Sequence, residues 1–390
     1  MIGAQKRAYL DIASAMPVSK QAQRAFTRAL SLYGNPGGAH EEGRLAKEAL
    51  EIARLNLARL VGVKTDVVIF TSGATEGNNM ALRGVVEKRH SEGLAYSSMH
   101  ILCGSGAHAS LTQTLSYLAT LGVVVEYIPY ENNALSMAFL ENALREDTVL
   151  VCVESVAGET GAWTNTRDIK RILDRKKSSA LLHVDASQAP LIEKVERSHF
   201  GADLIVLDAQ KIGGVRGIGV LILSVRAGLA PIIFGGGQEQ GLRSGTPSPA
   251  HAIAFSVALT EVQKGREQFL QRAVLAREKL VSSITSQIEQ VMVNEAKENA
   301  PHILNISLLG RDTDYLVALL NEAGFAVSTK SACETLDDTG SRGVLALTGE
   351  EARAKSTLRI SWGPDTTQTI FERFINALVR SVAFIDRHSL

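Results

Sequence analysis

Short β-branched and aliphatic runs alternate with longer helical patterns through the first two thirds of the chain, at positions 67–70, 123–125, 149–153, 181–184, 204–207 and 220–223. Apolar runs of this length without polar alternation belong in strands buried on both faces. Helical patterns lie between several of them, at 41–60, 75–89 and 166–176. Strand–helix–strand repetition needs right-handed crossovers, so the expected fold class is α/β, a mostly parallel central sheet with helices on both faces. In such a sheet ligands bind beyond the carboxyl ends of the strands. The pattern changes near 249–264, where a long helical stretch runs to about residue 290. A strand at 303–307, a helix from Asp314 and a strand at 358–361 follow. This predicts a large unit over 18–262 and a smaller α+β unit formed by 1–17 with 263–390. Small, polar and glycine residues over 332–343 predict a mobile loop.

Composition narrows the function. The 390 residues are enough for about two to three domains. Their 41 basic side chains balance 41 acidic ones. Nucleic acids and anionic membranes favour a basic excess, so no nucleic-acid and no membrane partner is expected. The three cysteines, Cys103, Cys152 and Cys333, form no C-x-x-C. That supports neither a disulfide framework nor a thiolate zinc site, and no metal is expected. A reducing compartment and a cytoplasmic location agree with this, as does the lack of an apolar core after the charged first residues.

Lys211 follows the apolar run 204–207 and opens the glycine-rich turn 213–219. An ammonium at the end of a buried strand is costly unless neutralised or used covalently, and a lysine of lowered pKa is the usual imine former. A solvated loop lysine is the alternative. Asp185 ends the preceding run, which directs both residues to one crevice. The pair suits pyridoxal phosphate (PLP), with the lysine forming an imine and the carboxylate keeping the pyridine nitrogen protonated. Asp185 as a helix N-cap is equally open. Thr71-Ser72-Gly73-Ala74-Thr75-Glu76 follows a strand and opens a helix, either as a phosphate cradle of backbone N–H groups or as a plain cap. It carries neither the Walker lysine nor G-x-G-x-x-G. His108, at the start of a helix beginning near Ala109, is a stacking and proton-shuttling candidate or a capping residue. Arg359 is a carboxylate clamp or an interdomain ion pair. The glycine-rich segment 235–246, with Arg243, Ser244 and Thr246, is a linker or a phosphate loop. Cys333, in the predicted loop, is a candidate nucleophile, whereas Cys103 and Cys152 read as inert core residues.

Taken in order, these elements resemble the cysteine desulfurases, PLP enzymes of the class V aminotransferase group with the type I fold. The resemblance covers nearly the whole chain. It rests on Tyr9-Leu10-Asp11, Gly34-Asn35-Pro36 with His40, the Thr71 to Glu76 string and Val184-Asp185-Ala186-Ser187-Gln188. Lys211 before Gly217-Ile218-Gly219, Arg243-Ser244-Gly245-Thr246 and Ser331-Ala332-Cys333 complete it. By that resemblance Lys211 holds the cofactor covalently, Asp185 pairs with the pyridine nitrogen and Gln188 bonds the ring hydroxyl. His108 stacks on the ring and relays protons. Gly73, Ala74 and Thr75 hold the phosphate, near Asp208 and Gln210. Thr246 reaches the phosphate of a partner subunit, which implies a homodimer, and Arg359, near Gly158, binds the carboxylate of L-cysteine.

The implied activity converts L-cysteine to L-alanine, leaving a persulfide on Cys333 for a sulfur acceptor such as an iron–sulfur assembly scaffold. A selenocysteine lyase, another class V enzyme or a catalytically degenerate partner in a sulfur-transfer complex are the alternatives. Three positions depart from the family pattern. Gly158 stands where an asparagine commonly precedes Glu-x-Gly, Gln210 where histidine precedes the lysine, and Asp208 where serine is frequent. A carboxylate at 208 repels a phosphate unless a cation lies between them.

Overall fold

A computed structural model describes residues 7–329 and 340–388; Ser331, Ala332 and Cys333 lie outside the described residues. Seven strands form the central sheet: β1 (Val68–Thr71), β2 (His100–Gly104), β3 (Val124–Ile128), β4 (Thr148–Glu154), β5 (Leu181–Asp185), β6 (Leu204–Asp208) and β7 (Gly219–Leu223). Their spatial order is β1-β7-β6-β5-β4-β2-β3. Neighbours pair parallel except at β7, which is antiparallel to both β1 and β6. The α/β class with a mostly parallel sheet is therefore what the chain adopts.

Successive strand residues point to opposite faces, and the core divides accordingly. Ile69, Ile101, Cys103, Leu150, Cys152, Val206 and Leu221 pack with α3 (Ala74–Ser91) and α4 (Ala109–Thr120). Val68, Phe70, Leu102, Val151, Val153, Leu182, Val184, Ile205 and Val220 pack on the other face, with α2 (Glu41–Val61), α5 (Thr166–Arg175) and α6 (Pro249–Gln287). Cys103 and Cys152 are thus core residues, and burial pushes both thiols up.

Several elements escape the sequence pattern, β2 and the first helix among them. Strand β2 reads His-Ile-Leu-Cys-Gly, without a β-branched run, yet it is buried from end to end. The helix at Lys20–Ala29 packs on α6, but its buried positions include only the alanines Ala22 and Ala29, so no large apolar stripe marks it. Helix α6 is one 39-residue element, about 58 Å long at 1.5 Å per residue. Its second half backs a three-stranded antiparallel sheet of Val291–Val293, Ile303–Leu308 and Thr357–Ser361. The helices Thr313–Glu322 and Gln368–His388 complete that layer. The N-terminal segment joins it: Ala8–Tyr9 pairs with Phe325–Ala326, and Asp11 bridges Ser361. Of the loop expected at 332–343 only the end is described, and there Ser341 caps a helix over Arg342–Thr348. No helix among the described residues is long and apolar enough to cross a membrane.

Edge strand β1 would present unpaired backbone groups, a liability that proteins cover. Here an ion pair covers them. Arg54 donates to Val68 O (2.6 Å) and forms a two-bonded pair with Glu239 (2.7 Å each), and Glu239 Oε2 also accepts the Phe70 N–H (2.8 Å). Both side chains are buried, so Glu239→Ala strands an edge amide and leaves the Arg54 guanidinium to Val68 O and the more exposed Glu51; denaturant unfolding should read a loss of about 3 kcal/mol. A second expectation concerns acid. Burial holds His183 down to about 4 and His302 down to about 3, and no ring nitrogen of either has a hydrogen-bond partner among the described residues. Unfolded histidine titrates near 6.5, so below about pH 6.5 the unfolded chain binds more protons and stability falls until the folded pKa values are reached. His302→Phe should flatten the decline of melting temperature between about pH 6.5 and 3; an unchanged slope would exclude His302 as a contributor.

Candidate functional site

Three adjacent parallel strands end in a carboxyl residue at the same edge of the sheet: β4 in Glu154, β5 in Asp185 and β6 in Asp208. Glu154 and Asp185 are in register. Beyond this edge lies a cavity of about 280 Å³ lined by Lys211, His108, Arg359, Thr75, Glu154 and Asp208 among others.

Asp185 is buried and accepts hydrogen bonds from Asn78 Nδ2 (2.7 Å) and the Ser187 N–H (3.0 Å). Both donors are neutral, which leaves the carboxylate suited to a cationic ring nitrogen. Asn78 Nδ2 also donates to Ser110 Oγ (2.8 Å), which lies 2.8 Å from His108 Nδ1. The same Nδ1 accepts the Ser110 N–H and caps α4 (3.1 Å). A nitrogen that accepts a backbone N–H is unprotonated, so the neutral ring carries its proton on Nε2. Burial lowers the His108 pKa, and Asp185 opposes that shift. His108 and Asp185 are thereby linked through Ser110 and Asn78. Sequence reasoning missed both linkers; the available signal was a polar residue at 78 within the buried stripe Gly77, Ala81, Leu82 and Val85 of α3.

Lys211 ends a short 3₁₀ turn after β6, and its Nζ donates to Ala13 O (2.9 Å) and Ser14 O (2.8 Å). Gln188, which also lines the cavity, donates from Nε2 to the same Ala13 carbonyl (2.8 Å). The N-terminal segment thus forms one wall. Arg359, 3% exposed, donates from Nη2 to Asp11 (2.8 Å) and Ser14 Oγ (2.6 Å) and from Nη1 to Gly158 O (3.0 Å). Its Nε is a buried donor without a hydrogen-bond partner among the described residues. At Gly158 a Cβ would stand 3.2 Å from Gln188 Nε2, so the missing side chain leaves Gln188 its place.

The turn before α3 is held by carboxylates. Asp208 Oδ2 accepts the Ala74 N–H (2.9 Å), and Glu76 Oε2 accepts the Ser72 N–H (2.8 Å). Arg243 pairs with Glu76 (2.7 Å). Thr246 is not brought to the cavity; with Arg243 and His251 it lines a separate cleft. Glu154, also missed, carries a carboxyl that burial, then Asp185 and Glu159, pushes well above the usual carboxylate range. Glu159 accepts a hydrogen bond from Ser341 Oγ and another from the Gly343 N–H (3.0 Å), fixing residues 341–343 beside the cavity.

This geometry agrees with comparisons to known proteins. Residues 8–374 match the model of the family described as aminotransferase class-V. Cysteine desulfurase IscS 1 of Archaeoglobus fulgidus is 30% identical over 372 residues, covering 95% of each chain. Cysteine desulfurase IscS of Aeromonas hydrophila is 33% identical, covering 96% of this chain and 92% of the relative. Among solved structures, one named a NifS-like protein superposes with a TM-score of 0.89 at 25% identity, over 97% of this chain and 100% of the other. DndA from Streptomyces lividans follows at 0.75 and 30%, over 92% and 100%. The chain therefore belongs to the class-V aminotransferase family, of the PLP fold type I, and is closely related to the cysteine desulfurases.

Proposed function

We propose that the protein is a PLP-dependent cysteine desulfurase that converts L-cysteine to L-alanine and carries the sulfur as a persulfide on Cys333 to a protein acceptor. The observation that carries this reading is the meeting of Lys211, His108 and Arg359 at one cavity, with Asp185 tied to His108 through Ser110 and Asn78. These residues fit PLP at its ring. Lys211 would hold the aldehyde carbon, and the Asp185 carboxylate, bonded only by neutral donors, would pair with the pyridine nitrogen. When bound there, the cofactor supplies an electron sink for the charge left at the substrate Cα. Thr75 would hold the phosphate.

The chain's own residues then have distinct tasks. Arg359 lines the cavity with a guanidinium fixed by Asp11, Ser14 and Gly158, which suits a substrate carboxylate. His108, kept neutral by burial, presents Nε2–H as a proton donor, and Nδ1 can take up a proton when it releases the Ser110 N–H. The Cys333 thiolate attacks the substrate sulfur and forms an S–S bond. The C–S bond breaks, its electron pair stays with the substrate carbon, and protonation there yields alanine. Support for Cys333 comes from its flanks: Ser328 pairs with the Arg359 backbone, and Ser341 bonds Glu159 at the cavity. Substrate would bind between the unit 18–262 and the unit of 1–17 with 263–390. A homodimer in which Thr246 serves the partner's phosphate, and a cytoplasmic location, belong to the same proposal. One observation favours the reading as a catalytically degenerate partner, namely the Asp208 carboxylate in the phosphate turn.

Purified protein should be yellow, borohydride should fix the cofactor to Lys211, and cysteine should give equal amounts of alanine and, with a reductant, sulfide. Cys333→Ser should keep the colour and lose sulfide release; full activity in that variant excludes the persulfide route. Arg359→Lys keeps the charge but loses the planar guanidinium that Asp11, Ser14 and Gly158 fix in place, so KM for cysteine should rise about tenfold or more with a smaller change in kcat.

A further inference from the structure

The phosphate turn of the proposed cofactor site is already served by the protein's own anions. The first amide of α3, Ala74 N–H, is donated to Asp208 Oδ2 (2.9 Å), and the Ser72 N–H to Glu76 (2.8 Å). Asp208 is 5% exposed, and among the described residues the hydrogen bonds given to its carboxylate come from Ala74 N, Gln210 N (3.0 Å) and, more distantly, Gln210 Nε2 (3.4 Å). All are neutral. Arg243, the cation bound at this turn, is engaged by Glu76. The turn is also shaped around the carboxylate: Gly73 has φ +149, and a Cβ there would stand 3.2 Å from Asp208 Oδ2. A helix N-terminus attracts one anion strongly because its amides and dipole converge. A second anion at the same amides meets both lost hydrogen bonds and like-charge repulsion.

We infer that Asp208 is a resident anion in the phosphate cradle and that the phosphate of PLP binds only in competition with it. The inference rests on the reading of this cavity as a PLP site. Its consequence is selectivity. Pyridoxal shares the ring and the reacting carbon of pyridoxal phosphate but lacks the phosphate, so a change at 208 that acts through the phosphate alters the affinity for the phosphorylated form alone. A neutral residue at 208 removes the repulsion and holds the Ala74 N–H less tightly than a carboxylate does.

The test is an equilibrium titration of full-length protein freed of cofactor, with PLP and separately with pyridoxal, followed by absorbance and by borohydride labelling of Lys211. Wild type is compared with Asp208→Ser and Asp208→Asn, both residues that cap a turn well, and thermal melting verifies that each variant is folded. Both variants should bind PLP roughly tenfold or more tightly than wild type, the scale of a hydrogen bond to a charged group, with pyridoxal affinity changed less than about twofold. If the ratio of PLP to pyridoxal affinity is the same in all three proteins, Asp208 is only a structural cap and the inference is wrong. If neither aldehyde labels Lys211 in any of them, the PLP reading itself fails and the inference falls with it.

Discussion

Negative charge collected at one sheet edge is the constraint around which the site is arranged. Parallel pairing forces β4, β5 and β6 to end side by side, and each ends in a carboxyl group. Carboxylates brought together at one edge, Glu154 and Asp185 in register and Asp208 two residues beyond the partner of Asp185, repel unless each is treated differently. The protein uses three treatments. Glu154 is driven toward its neutral form, Asp185 is held by an asparagine and one backbone amide, and Asp208 is bound to the first amide of a helix. Lys211, at the end of the turn that follows β6, adds a positive group to the same cavity. The cavity therefore has a charge pattern set by strand order before any ligand enters.

Much of this was legible in the sequence because strand ends are legible. An apolar run stopping at Asp185, and another followed by Lys211, mark a carboxyl edge without any knowledge of the fold. What the sequence could not reveal is how each group is neutralised. The Asp208 bond to Ala74 joins residues 134 positions apart, and the Gln188 and Lys211 bonds to Ala13 span 175 and 198. Such pairings depend on topology, not on local pattern. Strand β2 was illegible for a different reason: its burial comes from neighbours on both sides, so histidine, cysteine and glycine suffice there.

The three departures from the family pattern also sort themselves physically. Gly158 leaves Gln188 its position and offers its carbonyl to Arg359, so that change is absorbed locally. Gln210 donates to Asp208 through its backbone and, weakly, through its side chain, which makes the two substitutions one unit. Only Asp208 alters the charge of the turn, and it does so where an amide dipole makes charge matter most.

The N-terminal wall of the cavity has a consequence for how the protein comes into being. Ala13 and Ser14 hold Lys211, yet the segment that carries them is itself fixed by pairing of Ala8–Tyr9 with Phe325–Ala326 and of Asp11 with Ser361 and Arg359. During synthesis residues 8–14 emerge well before residues 325–361, on which their placement depends. The central sheet, made of contacts within 68–223, can form earlier. The lysine thus waits for its wall until residues 8–14 meet residues 325–361, more than 300 positions along the sequence.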